Sequence, residues 1–133
     1  MSYTICYVSK AQEHCTEEDI QNIFDETQQH NLANNIHGIL LYGFGNFFQV
    51  LEGNKEIVER LFQKICEDER HQRVEVLIRH YITIPIFATY SSKFNIVKTN
   101  RELEAVRTYL DTHKESNPFS DKVHRLIHPF IIP

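Results

Sequence analysis

Long apolar runs are missing from this chain. The longest, such as "GILLYGFG" (38–45), fall far short of the roughly 20 residues that a membrane helix needs. No secretory leader opens it, because "MSYTICYVSK" lacks a basic start followed by a long apolar stretch. Cysteines are few and odd in number: Cys6, Cys15 and Cys66, with no CxxC pair. That argues against a disulfide framework and a cysteine-rich zinc site, and fits a reducing cytoplasm. Cys6 and Cys66 stand among apolar neighbours and read as small core residues. A basic surplus is also missing. The 14 Lys and Arg face 18 Asp and Glu, the net charge is -4 and the pI is about 6.0. A general nucleic-acid surface is therefore not expected. The glycines of "GFGNFF" (43–48) begin like a dinucleotide-phosphate fingerprint, but the third is missing and a strand follows, not a helix. There is no internal repeat, low-complexity segment, phosphate loop or nucleophile–base pair. His124 and His128 have the i, i+4 spacing of paired metal ligands but no third ligand nearby, so no metal site is assigned. None of this suggests an enzyme.

What is present is an ordinary globular composition: 133 residues, 41% hydrophobic and 24% charged. Such a chain can bury a core as one domain. "SYTICYVS" (2–9) alternates with apolar groups on both faces and reads as a central strand covered on both sides. A helix follows over 16–30, capped by Thr16 with Asp19 in the capping-box position and Ile20, Ile23, Phe24 and Thr27 on one stripe. Strands at 36–42 and 47–53 form a hairpin. A second helix spans 54–68, with Asn54 as cap and Ile57, Leu61 and Ile65 inward. Further strands are expected at 74–82 and 90–97. The spacing predicts helices over 100–112, with a Thr99/Glu102 capping box, and over 119–130. The fold class is α+β: a ferredoxin-like β-α-β-β-α-β-β sandwich with two extra C-terminal helices on the other sheet face. The expected division is a sensor region at 1–97 and a helical extension at 98–133.

Two polar residues stand out. In "FFQVLEG" (47–53), Gln49 shares its strand face with Phe47 and Leu51, so its amide must find partners. Tyr7, on a strand expected to lie beside it, carries a hydroxyl that also needs one. A glutamine can exchange donor and acceptor by rotating. The pair beneath two helices suits a planar, mostly apolar ligand with a polar edge. Taken singly, these residues have ordinary roles: Gln49 a structural amide, Tyr7 a core aromatic, Asn31 a residue closing the first helix, Lys64 and Arg70 solvated charges.

Together, "ICYVSKA" (5–11), "HNLANNIHGILLY" (30–42), "FFQVLEG" and "EDERH" (67–71) resemble the signature blocks of BLUF domains, blue-light sensors that use FAD. The resemblance covers about residues 2–97 and keeps the order and spacing of the blocks. It implies that Tyr7 is the electron and proton donor to the excited flavin. Gln49 would be the glutamine between that tyrosine and the flavin N5/O4 edge, which light rearranges to give a reversible red-shifted state. Asn31 would hold the O4/N3 edge, with His30 beside it. Lys64 would lie near the FAD phosphate, Arg70 and His71 near the O2 side of the ring, and Ile23 and Thr27 along the ring. The fifth strand departs from the family's "WSM"-like block, with Tyr90, Ser91 and Ser92 at the matching positions. The chain has no tryptophan, so electron transfer from tryptophan cannot compete, and relay through Ser91 and Ser92 cannot copy a methionine-based link. The expectation is a photoreceptor that passes its signal to a separate protein or through a change in oligomeric state, with no nucleic acid or membrane involved. No effector domain is expected, because only residues 98–133 follow the resemblance. Its rivals are a light-independent flavin or redox module and a flavin-free protein-interaction domain.

Overall fold

The computed structural model describes residues 2–90 and 93–133. In chain order it contains β1 (Ser2–Ala11), α1 (Glu17–Ala33), β2 (His37–Gly43), β3 (Asn46–Gly53), α2 (Lys55–Glu67), β4 (His71–Ile82), β5 (Phe94–Val97), α3 (Asn100–His113) and α4 (Pro118–Ile127). Local chemistry sets several boundaries. Thr16 Oγ1 accepts from the Asp19 N–H while Asp19 accepts from the Thr16 N–H, the expected capping box. Asn54 caps α2 by accepting from the Ile57 N–H at 3.2 Å, and Thr99 caps α3 through the Glu102 N–H. The β2–β3 hairpin turns on Phe44 and Gly45, both with positive φ (49° and 80°). This is the backbone that a two-residue loop between twisted strands requires.

The five strands form one sheet in the order β4-β1-β3-β2-β5. β1 pairs antiparallel with both β3 and β4, and β5 adds parallel to β2. This is the ferredoxin-like arrangement with one added edge strand. Strand alternation sorts the core into two layers. Tyr3, Ile5, Tyr7, Leu40, Phe47 and Leu51 pack under α1 and α2, against Ile20, Ile23, Phe24, Val58 and Phe62. Cys6, Ile39, Leu41, Phe48 and Val50 pack on the other face against Leu103, Val106, Leu110, Val123 and Ile127 of α3 and α4. The C-terminal helices thus cover the second face, as expected.

Several sequence-based details are corrected. β4 begins at His71 rather than 74, because register shifts opposite Cys6/Tyr7 and Val8/Lys10 let it continue beside β1 past Arg73, whose φ is 52°. β5 is confined to Phe94–Val97. Tyr90 instead joins an aromatic cluster with Phe87 and Tyr109, its ring centroid 4.9 Å from that of Tyr109. Ser91 and Ser92 lie outside the described residues. α1 runs on to Ala33, so Asn31 sits in its last turn and Asn34 takes the C-cap. The buried stripe of α2 is Val58 and Phe62, with Ile57, Leu61 and Ile65 only half-buried. Cys66, in the last turn of α2, is exposed, whereas Cys6 is buried. The end of the chain is tied down at Phe130 and Ile132, while Ile131 between them is exposed. The Asn100 side-chain amide pairs with both the N–H and the carbonyl of Ile132, and Phe130 packs edge-on against Phe48.

Candidate functional site

The register of the central strands places Tyr7, Gln49 and Leu40 in one row across β1, β3 and β2. Because their side chains share a face, the row forms a floor beneath α1 and α2. A cavity of about 230 Å³ opens above it. From α1, Ile23, Glu26, Thr27 and His30 follow i, i+3, i+4, i+7 spacing and form one wall; Leu61, Lys64 and Ile65 of α2 form the other. Asp68, Arg70 and His71, from the turn into β4, close one end. The half-buried state of Leu61 and Ile65 now has a cause: they face the cavity instead of meeting the opposite helix.

Gln49 is 2% exposed and Tyr7 fully buried. Gln49 Nε2 donates to the Tyr7 hydroxyl at 2.5 Å, and Gln49 Oε1 has no partner. Burial pushes the Tyr7 phenol well above its ordinary range, and the Gln49 bond only partly offsets this. The phenol therefore holds its proton at any physiological pH. The Tyr7 ring packs against Phe62, centroid to centroid 5.5 Å.

Asn31 is fully buried, and neither its amide nitrogen nor its amide oxygen has a partner. It lies next to His30 but off the cavity wall. His30 is on the wall and otherwise exposed, near the C-cap Asn34. Arg70 is not a free cation. It donates to Asp68 at 2.7 Å and to Glu26 at 2.8 Å, tying the turn before β4 across to α1. Burial would raise the Asp68 carboxyl, but the Arg70 hydrogen bonds and charge hold it below its usual value. His71 is buried, with Nδ1 2.9 Å from Ser9 Oγ and its ring on Phe47. Burial keeps its pKa below the usual 6.5.

All the candidate flavin-contact residues except Asn31 therefore line one cavity, and Asn31 is buried beside it; the relay candidates Ser91 and Ser92 lie outside the described residues. Glu26, Leu40 and Asp68 complete the lining and were not singled out, and Leu61 and Ile65 were expected only as inward packing residues. Helical spacing from Thr27 and Lys64 could have found Leu61 and the α1 stripe. Nothing in the sequence ties Glu26 to Arg70.

A flavin fits this donor set. Its ring is planar and largely apolar, and its polar edge offers carbonyl and ring-nitrogen acceptors beside an N–H donor. Three orphaned amide atoms, on Gln49 and Asn31, would otherwise cost about 1–3 kcal/mol each. A family model described as sensors of blue light using FAD matches residues 2–93. The chain belongs to the BLUF family. A BLUF structure from BlrP1 superimposes with a TM-score of 0.75 at 32% identity, covering 98% of this chain and 90% of that one. The Klebsiella pneumoniae BlrP1 structure with FMN and cyclic diGMP matches at 34% identity with a TM-score of 0.64, covering 73% of this chain and 26% of that one. The blue light- and temperature-regulated antirepressor BluF of Escherichia coli is 25% identical over 142 residues, 90% of this chain and 35% of the relative. The chain spans about a third or less of the length of the curated relatives it matches. BLUF proteins bind flavin and sense blue light, and one relative of this chain is the photoactivated adenylate cyclase subunit alpha of Euglena gracilis. The matched family model describes a sensor. Among the described residues no helix is long and apolar enough to cross a membrane, and no cluster of His, Cys, Asp or Glu could hold a metal ion.

Proposed function

We propose that the flavin is FAD, held non-covalently between α1 and α2, and that Tyr7 and Gln49 are the photoactive pair. The observation that carries this reading is the half-satisfied Gln49 amide, bonded to Tyr7 through Nε2 and left with a buried, partnerless Oε1 at the cavity floor. A bound flavin supplies the chromophore and, when excited, the oxidising power. The rest is done by the chain. Tyr7 is the source of the electron and the proton, since its phenol is neutral and already hydrogen-bonded. Gln49 responds by reversing its amide while the proton is away, and once the electron and proton return to Tyr7, Oε1 accepts from the restored Tyr7 hydroxyl and Nε2 is turned to the ligand. Its apolar surroundings leave few alternative partners, so the two orientations stay distinct. The Asn31 amide matches a ligand edge that offers one acceptor and one donor. Ile23 and Thr27 flank the ring beside His30; Lys64 serves the phosphate, and Arg70 and His71 serve the far edge. Division into a sensor at 1–97 and a transmitting extension at 98–133 follows from this reading. The output is a separate partner protein or a change in self-association, in the cytoplasm. Ser91 and Ser92 remain candidates for the relay.

The test is an absorption spectrum of dark-purified protein before and after blue light, with the released chromophore identified by chromatography. FAD and a reversible red shift are expected. A yellow protein without the shift points to a light-independent flavin module. A colourless protein that takes up no FAD sinks the reading.

A further inference from the structure

Glu52 lies three residues beyond Gln49 on β3, but on the opposite face of the sheet. It is fully buried. One carboxylate oxygen, Oε2, accepts from Thr4 Oγ1 of β1 at 2.8 Å and from the Ile86 N–H at 2.7 Å; Oε1 accepts from the Phe87 N–H at 2.9 Å. Ile86 and Phe87 belong to the connection between β4 and β5, whose residues 83–90 make no strand pairing and would otherwise bury two unpaired N–H groups. Its other side is held by α3. Tyr109 donates its hydroxyl to the Ile86 carbonyl at 2.8 Å and stacks on the Phe87 ring, centroids 5.8 Å apart and planes 16° apart. Two residues of backbone are thus gripped by a β3 carboxylate on one side and an α3 tyrosine on the other.

We propose that Glu52 is a positioning residue that couples the strand of the photoactive pair to the C-terminal helices, with Ile86 and Phe87 as the joint and Tyr109 as the receiver. The inference rests on the function proposed above. Reversal of the Gln49 amide changes what β3 is bonded to on the α1/α2 face. The strand is a stiff element, so a small tilt or slide moves the Glu52 carboxylate on the other face. Both oxygens are committed to backbone N–H groups, so the joint moves with them. Its carbonyl and ring then carry the displacement to Tyr109 and α3. This route needs neither a methionine nor a tryptophan on the fifth strand.

The test compares wild type, Glu52→Gln and Tyr109→Phe, each loaded with FAD, by flavin absorption and by amide hydrogen exchange in darkness and under blue light. The wild type should show the red shift and a light-dependent change in exchange over residues 100–113. Both variants should keep the shift and lose most of the light–dark difference in α3. A merely structural role would raise exchange equally in both conditions. Tyr109→Phe removes one half-exposed hydroxyl and keeps the ring, so it serves if Glu52→Gln fails to fold. Variants with an unchanged light–dark difference overturn the relay alone, as does a wild type with the shift but no response in α3. A wild type without the red shift overturns the proposed function and the relay with it.

Discussion

The two faces of the sheet are built from the same kinds of side chain but treat buried polar groups in opposite ways. Under α1 and α2, the Gln49 and Asn31 amides are buried with three atoms unpartnered beside a cavity. Under α3 and α4, the Glu52 carboxylate is buried with three donors, and neither oxygen is left without a partner. Ser120 Oγ and Arg107 Nε are also unpartnered on that side, but they belong to the helices and not to the sheet. The contrast separates two reasons for placing polarity in a core. A satisfied group specifies how neighbouring segments dock, whereas an unsatisfied one beside a void specifies a ligand.

The sharpest way to break the comparison is Gln49→Leu. It should abolish the light-induced shift completely while flavin stays bound, and Tyr7→Phe should do the same. Without flavin, Gln49→Leu should change stability in urea unfolding only slightly, since relief of an orphaned carbonyl is offset by loss of the bond to the buried Tyr7 hydroxyl. Glu52→Ala comes next. It strands two buried N–H groups and a hydroxyl, and should cost roughly 3–5 kcal/mol in chemical unfolding. Asn31→Ala should have a smaller effect of a different kind. Stability without flavin should change by no more than about 1 kcal/mol, while flavin affinity in a fluorescence titration should fall roughly tenfold or more. Equal losses of stability at Glu52 and Asn31 would erase the distinction between the faces. The smallest effect concerns pH. His71 has a pKa lowered by burial, so the unfolded chain takes up its proton first as pH falls below about 6.5. Its contribution to stability is present above that value and is lost on acidification through the lowered folded pKa. Urea midpoints between pH 8 and 5 should show this, with a weaker dependence in His71→Gln.

Legibility in the sequence followed the range of the forces involved. Helix starts were readable because a cap acts over three residues: Thr16, Asn54 and Thr99 all cap as their spacing suggested. The two-layer core was readable because strand alternation is a local rule. The start of β4 and the shortness of β5 were not readable. A bulge depends on the partner strand, and Tyr90 left the strand pattern for an aromatic cluster assembled from distant segments. Cys66 looked like core because it follows Ile65 in an amphipathic helix, but a helix sorts neighbours onto different faces.

The site divides in the same way. By itself the sequence determined that a glutamine and a tyrosine would be buried on neighbouring strands beneath two amphipathic helices, because period 2 and period 3.6 are imposed by backbone geometry. Only the tertiary structure decided that the two would stand directly opposite each other, that Gln49 would keep an unpartnered oxygen, and that Arg70 would be tied to Glu26. It likewise made Glu52 a buried clamp on Ile86 and Phe87. Each of these depends on strand register, loop path and the meeting of residues far apart in the chain, and no local rule of the backbone specifies them.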